Sequence, residues 1–102
     1  MVTITHTRGD TLPLKLALPP DATAAILLVH AAHTCVEIEG EVARSRASFD
    51  PAALASLPPG RVYRTSVRIT HADGASETID AFALRIEDGC MSSFYAPSIP
   101  TV

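Results

Sequence analysis

Residues 59–87 carry the pattern that most constrains the fold, because they have the signature of a β-hairpin. Residues suited to burial alternate with polar ones over a strand's length: Tyr63, Thr65, Val67 and Ile69 against Arg64, Ser66, Arg68 and Thr70. Such alternation puts one set on each face of a strand. Asp73-Gly74 supplies the positive φ angles of a tight turn. A return strand then runs over 78–87, with Phe82, Leu84 and Ile86 pointing inward.

Five further stretches have strand character, at residues 2–6, 11–18, 24–31, 36–39 and 41–48. Leu12, Leu14, Leu16 and Leu18 share one face of the second stretch. Pro13 cannot donate a ladder hydrogen bond, so this strand should lie at a sheet edge. The apolar run 24–31 suits a strand in the middle of a sheet, although periodicity alone also allows a short helix. Gly40 is expected to turn the fourth stretch into the fifth.

One short segment has helical rather than strand character. Asp50 is a candidate N-cap, Pro51 follows at the first helical position, and 58–60 (Pro-Pro-Gly) ends the segment. One or two helical turns are predicted there. About seven short strands separated by Gly, Pro and Asp favour an all-β fold, an immunoglobulin-like antiparallel β-sandwich. Residues 1–90 would form this domain, and 91–102 an extended C-terminal tail.

Composition limits the classes of partner. The 102 residues suit one domain, and 47% apolar residues are ample for a core. The net charge of −3 gives no electrostatic reason to bind nucleic acid or a membrane surface. The first residues lack a signal-peptide pattern, so we expect a soluble product made in a reducing cytoplasm. Cys35 and Cys90 should then be small buried thiols rather than a disulfide.

The triplet Arg8-Gly9-Asp10 is the sequence that integrins recognise when a loop displays it. The alternative is a tight turn between two strands, with Gly9 at positive φ and Asp10 bonding nearby backbone amides. Because no secretion signal is visible, the turn is the favoured interpretation.

No residue group predicts catalysis or a metal site. His30, His33, Cys35 and Cys90 hold metal-ligand side chains, but a structural zinc site usually takes two close-set pairs. The serines lack a nucleophile-elbow context, and there is no phosphate loop or dinucleotide fingerprint. We therefore expect no cofactor, no metal and no enzymatic activity.

Four arginines are the surface feature with most functional content. Arg64 and Arg68 lie four apart on the polar face of one strand, and Arg44 and Arg46 lie two apart on another. Arginine pairs bidentately with carboxylates and is enriched at interfaces. These side chains could dock acidic neighbours in an assembly, or they could pair with the protein's own glutamates.

The order of turns and strands resembles small β-sandwich virion proteins of tailed phages, including the N-terminal modules of baseplate upper proteins. Two groups of residues carry the resemblance. The first is the run Ile4-Thr5-His6-Thr7-Arg8-Gly9-Asp10-Thr11-Leu12-Pro13-Leu14. The second comprises Asp50-Pro51, Leu54, Pro59-Gly60, Tyr63, Asp73-Gly74, Thr78 and Phe82-Ala83-Leu84. The resemblance implies a structural protein located in the virion, as a tail, baseplate, neck or capsid-associated component.

The tail fits that interpretation because it contains apolar residues without usable periodicity: Phe94, Tyr95, Ile99 and Val102. Proline-spaced extended segments commonly bind a sheet edge or a groove. We expect Phe94, Tyr95 and Ile99, together with the four arginines, to contact other virion proteins or copies of the same chain. The alternative hypothesis is a host-encoded β-sandwich that binds a small ligand or a protein partner.

Overall fold

The structure, a computed structural model, describes residues 2–88. Its strands are β1 (Thr3–Thr7), β2 (Leu14–Ala17), β3 (Ala22–His30), β4 (Cys35–Ala43), β5 (Arg46–Phe49), β6 (Arg61–His71) and β7 (Ser76–Glu87). A 3-10 helix, Pro51–Ser56, joins β5 to β6, and the Asp50 carboxylate caps it by accepting from the Ala52 amide. The predicted all-β fold of about seven strands with one short helical turn is confirmed.

The strands form one curled sheet in the order β1-β7-β6-β3-β4-β5-β2. Neighbouring strands are antiparallel except β1 and β7, which are parallel. β3 lies in the middle and β2 at an edge, as the apolar run and Pro13 predicted. β4 belongs to both halves of the sheet, because Cys35–Glu39 pairs with β3 and Gly40–Ala43 pairs with β5. β4 is therefore the strand that links the two halves of the curled sheet.

One hydrophobic core joins the two halves of the curled sheet. Leu14 and Phe49 from the β5–β2 end share it with Val67, Ile69 and Leu84 from the other end. The core expected from the sequence is confirmed, with Leu16 at its partly buried rim. Leu12 is the exception, since it is 77% exposed. β2 begins only at Leu14, so at residue 12 there is no paired strand to hold the alternation.

The predicted turn at Gly40 is wrong. β4 runs straight through this residue, and the turn lies at Arg44 and Ser45, whose φ angles are 51° and 61°. Gly40 is opposite Phe49, and a Cβ atom on it would lie 2.5 Å from the Phe49 ring. The glycine therefore serves close packing rather than a turn, and β5 is shorter than the predicted strand 41–48.

The β6–β7 hairpin has the predicted strands and turn, with Gly74 at a φ of 90°. It contains one irregularity, a β-bulge in β7, where two residues of β7 lie opposite Thr65. There the Thr65 hydroxyl donates to the Phe82 carbonyl at 2.6 Å and accepts from the Phe82 amide at 3.0 Å. The side chain thus replaces a missing backbone partner, as a buried amide requires.

Replacing Phe82 with alanine should lower the free energy of unfolding by about 3–5 kcal/mol, because the ring is 2% exposed in the core. Ile79→Ala is the matched control on the same strand: its side chain is 45% exposed, so its loss should be clearly smaller. Denaturant unfolding of both variants measures the difference. Equal losses would show that the inward face of β7 is misassigned.

Replacing Gly40 with alanine should destabilise the fold by about 1–3 kcal/mol, because the new methyl group overlaps the buried Phe49 ring. The double variant Gly40→Ala/Phe49→Leu removes the opposing ring edge, so its loss should be less than the sum of the two single losses. Strictly additive losses in equilibrium unfolding would contradict the proposed contact.

Candidate functional site

The Arg8-Gly9-Asp10 segment is a tight turn at the end of β1, as favoured from the sequence. Gly9 has a φ of 96°, and the Asp10 amide donates to the Thr7 carbonyl at 3.0 Å. The Arg8 amide donates to the Glu87 carbonyl at 2.9 Å, which ties the turn to β7. Asp10 thus closes the turn through its own amide, whereas the sequence predicted that its carboxylate would bind nearby amides.

A groove of about 1020 Å³ lies between this turn and the 3-10 helix. Pro51, Ala52 and Ala55 form its apolar wall, and an Arg8 guanidinium nitrogen donates to the Ala55 carbonyl at 3.3 Å. His6 lines the groove and is only 7% exposed, yet no group of residues 2–88 hydrogen-bonds its ring. The sequence contained a signal for this site, namely a histidine on the same strand face as Ile4.

His30 and Ser66 meet on the outer face of the sheet. The His30 Nε2 atom lies 2.9 Å from the Ser66 hydroxyl, and Ser66 is only 8% exposed. Ser66 thus lies on the predicted polar face of β6, but it is not exposed like Arg64 and Arg68, because β3 brings His30 against it. Within the described part of the chain no carboxylate bonds the other His30 nitrogen, so the pair lacks the third group that orients a catalytic base.

The residues considered for zinc do not converge where the structure describes them. His33 lies in the β3–β4 loop, and over residues 2–88 no three His, Cys, Asp or Glu side chains could hold one metal ion. Cys35 is an exposed free thiol, which corrects the expectation of a buried one. It begins β4 opposite His30, at the end of that strand pair where the β3–β4 loop joins the two strands. Cys90 lies outside the described residues.

Arg64 and Arg68 are both exposed on the outer face of β6, as predicted. Arg64 lies 3.8 Å from the Asp80 carboxylate, with side chains 78% and 64% exposed. Such an exposed pair contributes little to stability. Arg68 forms no ion pair with any residue from 2 to 88.

Arg44 and Arg46 lie on the β4–β5 hairpin, separated from β6 by β3 and β4 in the sheet order. Arg44 occupies the turn itself, and Arg46 begins β5 opposite Ala17. Both are exposed, and neither forms an ion pair within the described range. The four arginines thus form two separate pairs. Phe94, Tyr95 and Ile99 lie outside the described residues.

A cluster that sequence reasoning missed joins three parts of the fold. His71, at the end of β6, places Nδ1 3.0 Å from the Asp21 carboxylate and Nε2 3.0 Å from the Glu77 carboxylate. Hydrogen bonds to Asp21 first, then to Glu77, raise the pKa of His71 above its ordinary value. Only the protonated ring donates from both nitrogens. The sequence signal for this cluster is the pair His71 and Glu77, which flank the Asp73-Gly74 turn.

This cluster predicts that stability falls as the pH rises through the raised pKa of His71. The folded state binds the proton more tightly than the unfolded state, whose histidine pKa is about 6.5. The stabilisation is therefore complete below that value and is lost at higher pH. Denaturation midpoints between pH 5.5 and pH 8.5 should fall less for His71→Gln than for the unaltered protein.

His33→Gln is the control, because His33 is an exposed loop histidine with no partner among residues 2–88. Its midpoints should follow the unaltered protein across the same range. A His71→Gln profile that also follows the unaltered protein would show that the two carboxylates do not hold the proton.

Comparisons with protein families, with curated protein sequences and with solved structures found no match. Within residues 2–88 no helix is long and apolar enough to cross a membrane.

Proposed function

We propose that this protein is a non-enzymatic structural component of a tailed-phage or phage-like particle and acts through protein–protein contacts. The order of its turns and strands, which resembles small virion β-sandwiches, supports this assignment. The observation that carries it is the open sheet. Among residues 2–88, β1 and β2 lie at the two ends of the strand order, and each has a partner strand on one side only.

Open edges matter because they present unpaired backbone N–H and C=O groups. These groups accept an added strand from another chain, with side-chain pockets providing the specificity. Pro13 removes one donor just before β2, so the β1–β7 side offers the more complete row. A scaffold of this kind can join neighbours in a particle without any catalytic group.

The outer face of β6 supplies a second kind of contact. Arg68 is exposed and unpaired within the described chain, and Arg64 has only the distant Asp80 carboxylate. Arg64 and Arg68 are four residues apart and therefore lie on the same face of β6. An acidic neighbour could bind both guanidinium groups from that face. The alternative hypothesis was that the arginines pair with the protein's own glutamates. Arg64 does have a partner within the protein, but that partner is Asp80 rather than a glutamate.

The test is incorporation into purified particles. The chain should be present at a fixed multiple of the particle's symmetry number, and Arg68→Glu should lower its occupancy without lowering its melting temperature. Arg61→Glu is the matched control, since it makes the same charge change at the start of β6. Absence from particles would overturn the proposal, and equal loss with both variants would remove Arg68 from the interface.

The groove favours a second candidate, a host-encoded module that binds a small ligand or a protein partner. His6 lies there beside the apolar wall of the 3-10 helix, nearly buried but with no enclosed unpaired nitrogen, so its ring can still meet a ligand in the groove. A ligand that fills the groove should raise the melting temperature by mass action, and His6→Ala should abolish that shift. A shift that persists in His6→Ala would place the ligand elsewhere.

A further inference from the structure

We propose that the open edge of β7, residues 76–82, accepts residues 91–96 of a second copy of this chain as an added β-strand. This inference rests on the proposed role in an assembly and specifies one of its contacts. We call residues 76–82 the open edge and residues 91–96 the donor segment.

The open edge exists because β1 is much shorter than β7. β1 pairs only with Ala83–Glu87, whereas β7 has 12 residues and begins at Ser76. The bonds at the two ends of this pairing are the Ala83 amide to the Val2 carbonyl and the Arg8 amide to the Glu87 carbonyl, both 2.9 Å. Before Ala83, β7 has β6 on one side and no strand of residues 2–88 on the other.

The side chains of the open edge remain exposed to a partner. Every residue from Ser76 to Asp80 is exposed, and Ile79 is 45% exposed although its cross-strand partner Val67 is fully buried. Ile79 therefore faces the core side of the sheet at a place where the core does not cover it. Seven strand residues extend over about 23 Å, enough for a six-residue partner strand.

Charge decides against pairing of this edge with its own copy. Glu77 and Asp80 lie on it, one toward each face, and two such edges would place like charges along one seam. Their own basic partners, His71 and Arg64, offset this repulsion only in part. The donor segment, Met-Ser-Ser-Phe-Tyr-Ala, has no charged residue and no proline, and it includes two strong strand formers, Phe94 and Tyr95. Pro97 follows it directly and would stop the added strand at the length of the open edge.

Distance decides for a second copy rather than the chain's own donor segment. β7 ends at Glu87, the end farthest from Ser76, and β1 already occupies the edge beside Ala83–Glu87. To reach Phe82, the chain must return past those positions, about 20 Å from residue 88, which takes about six residues. Its own residue 94 would then be the first to enter, and Pro97 and Pro100 would fall beside the open edge.

A donor segment from a neighbour meets no such limit. The donor segment of one copy binds the open edge of another copy. The contact therefore joins two different surfaces and is heterologous. Repetition of such a contact builds rings when the rotation closes and open filaments when it does not. Both outcomes suit a component that recurs around a particle.

The experiment uses the full chain and three single variants. Ile79→Lys puts a charge on the open edge, the usual means of blocking strand addition. Phe94→Asp gives the donor segment the same charge as the edge. Thr5→Lys is the matched control, an exposed threonine on the other edge strand, β1. Sedimentation velocity over a concentration series measures self-association, and amide hydrogen exchange measures protection of residues 76–82.

We expect the unaltered chain to self-associate and to gain exchange protection at residues 76–82 as its concentration rises. Ile79→Lys and Phe94→Asp should each weaken association by about tenfold or more, and Thr5→Lys should leave it unchanged. Melting temperatures check that each variant is folded, and Thr78→Lys replaces Ile79→Lys if that variant unfolds.

Four results would overturn the inference. Loss of association in Ile79→Lys but not in Phe94→Asp would indicate pairing of two open edges. Protection of residues 76–82 in a monomer would assign the edge to the chain's own tail. Loss in Thr5→Lys would move the contact to β1. A chain that stays monomeric at its solubility limit would remove the contact, while particle incorporation would still test the proposed function separately.

Discussion

The fold depends on the change of partner along β4. Up to Glu39 this strand pairs with β3, and from Gly40 it pairs with β5. The ring of Phe49 packs against Gly40 at that junction, closer than any Cβ atom would allow. This contact lets one strand serve both halves of a curled sheet, so that a single core forms between them without a break in the hydrogen-bonded order.

Much of this architecture follows from local chemistry. Some features could be predicted from the sequence because each depends on neighbouring residues alone. They are the alternation in β6, the Asp73-Gly74 turn, the Asp50 cap and the apolar run of β3. The turn predicted at Gly40 is wrong because glycine occurs both in turns and where another group packs closely against the backbone. Only the position of Phe49 across the sheet distinguishes the two cases. The true turn, at Arg44 and Ser45, has no glycine to announce it.

The polar sites were harder to predict, because they join residues far apart in sequence. His71 meets Asp21 across 50 positions, and His30 meets Ser66 across 36. Register between strands decides these contacts, and one residue of slip would move each side chain to the other face. Arg64 and Arg68 lie on one exposed strand face as predicted, whereas Arg44 lies in the β4–β5 turn and does not share a strand with Arg46. The sheet order that separates the two pairs could not be derived from their spacing.

The bulge at Thr65 has a consequence for the shape of the sheet. Before the bulge, even-numbered residues of β7 face outward, and after it they face the core. The core-facing residues of the strand thus change from odd-numbered to even-numbered at the bulge. Ile79 and Phe82, three apart, therefore point to the same side. Bulges also increase local twist. The two halves of β7 thus present their edges in different directions, and a chain bound along the first half would diverge from β1 instead of continuing its line.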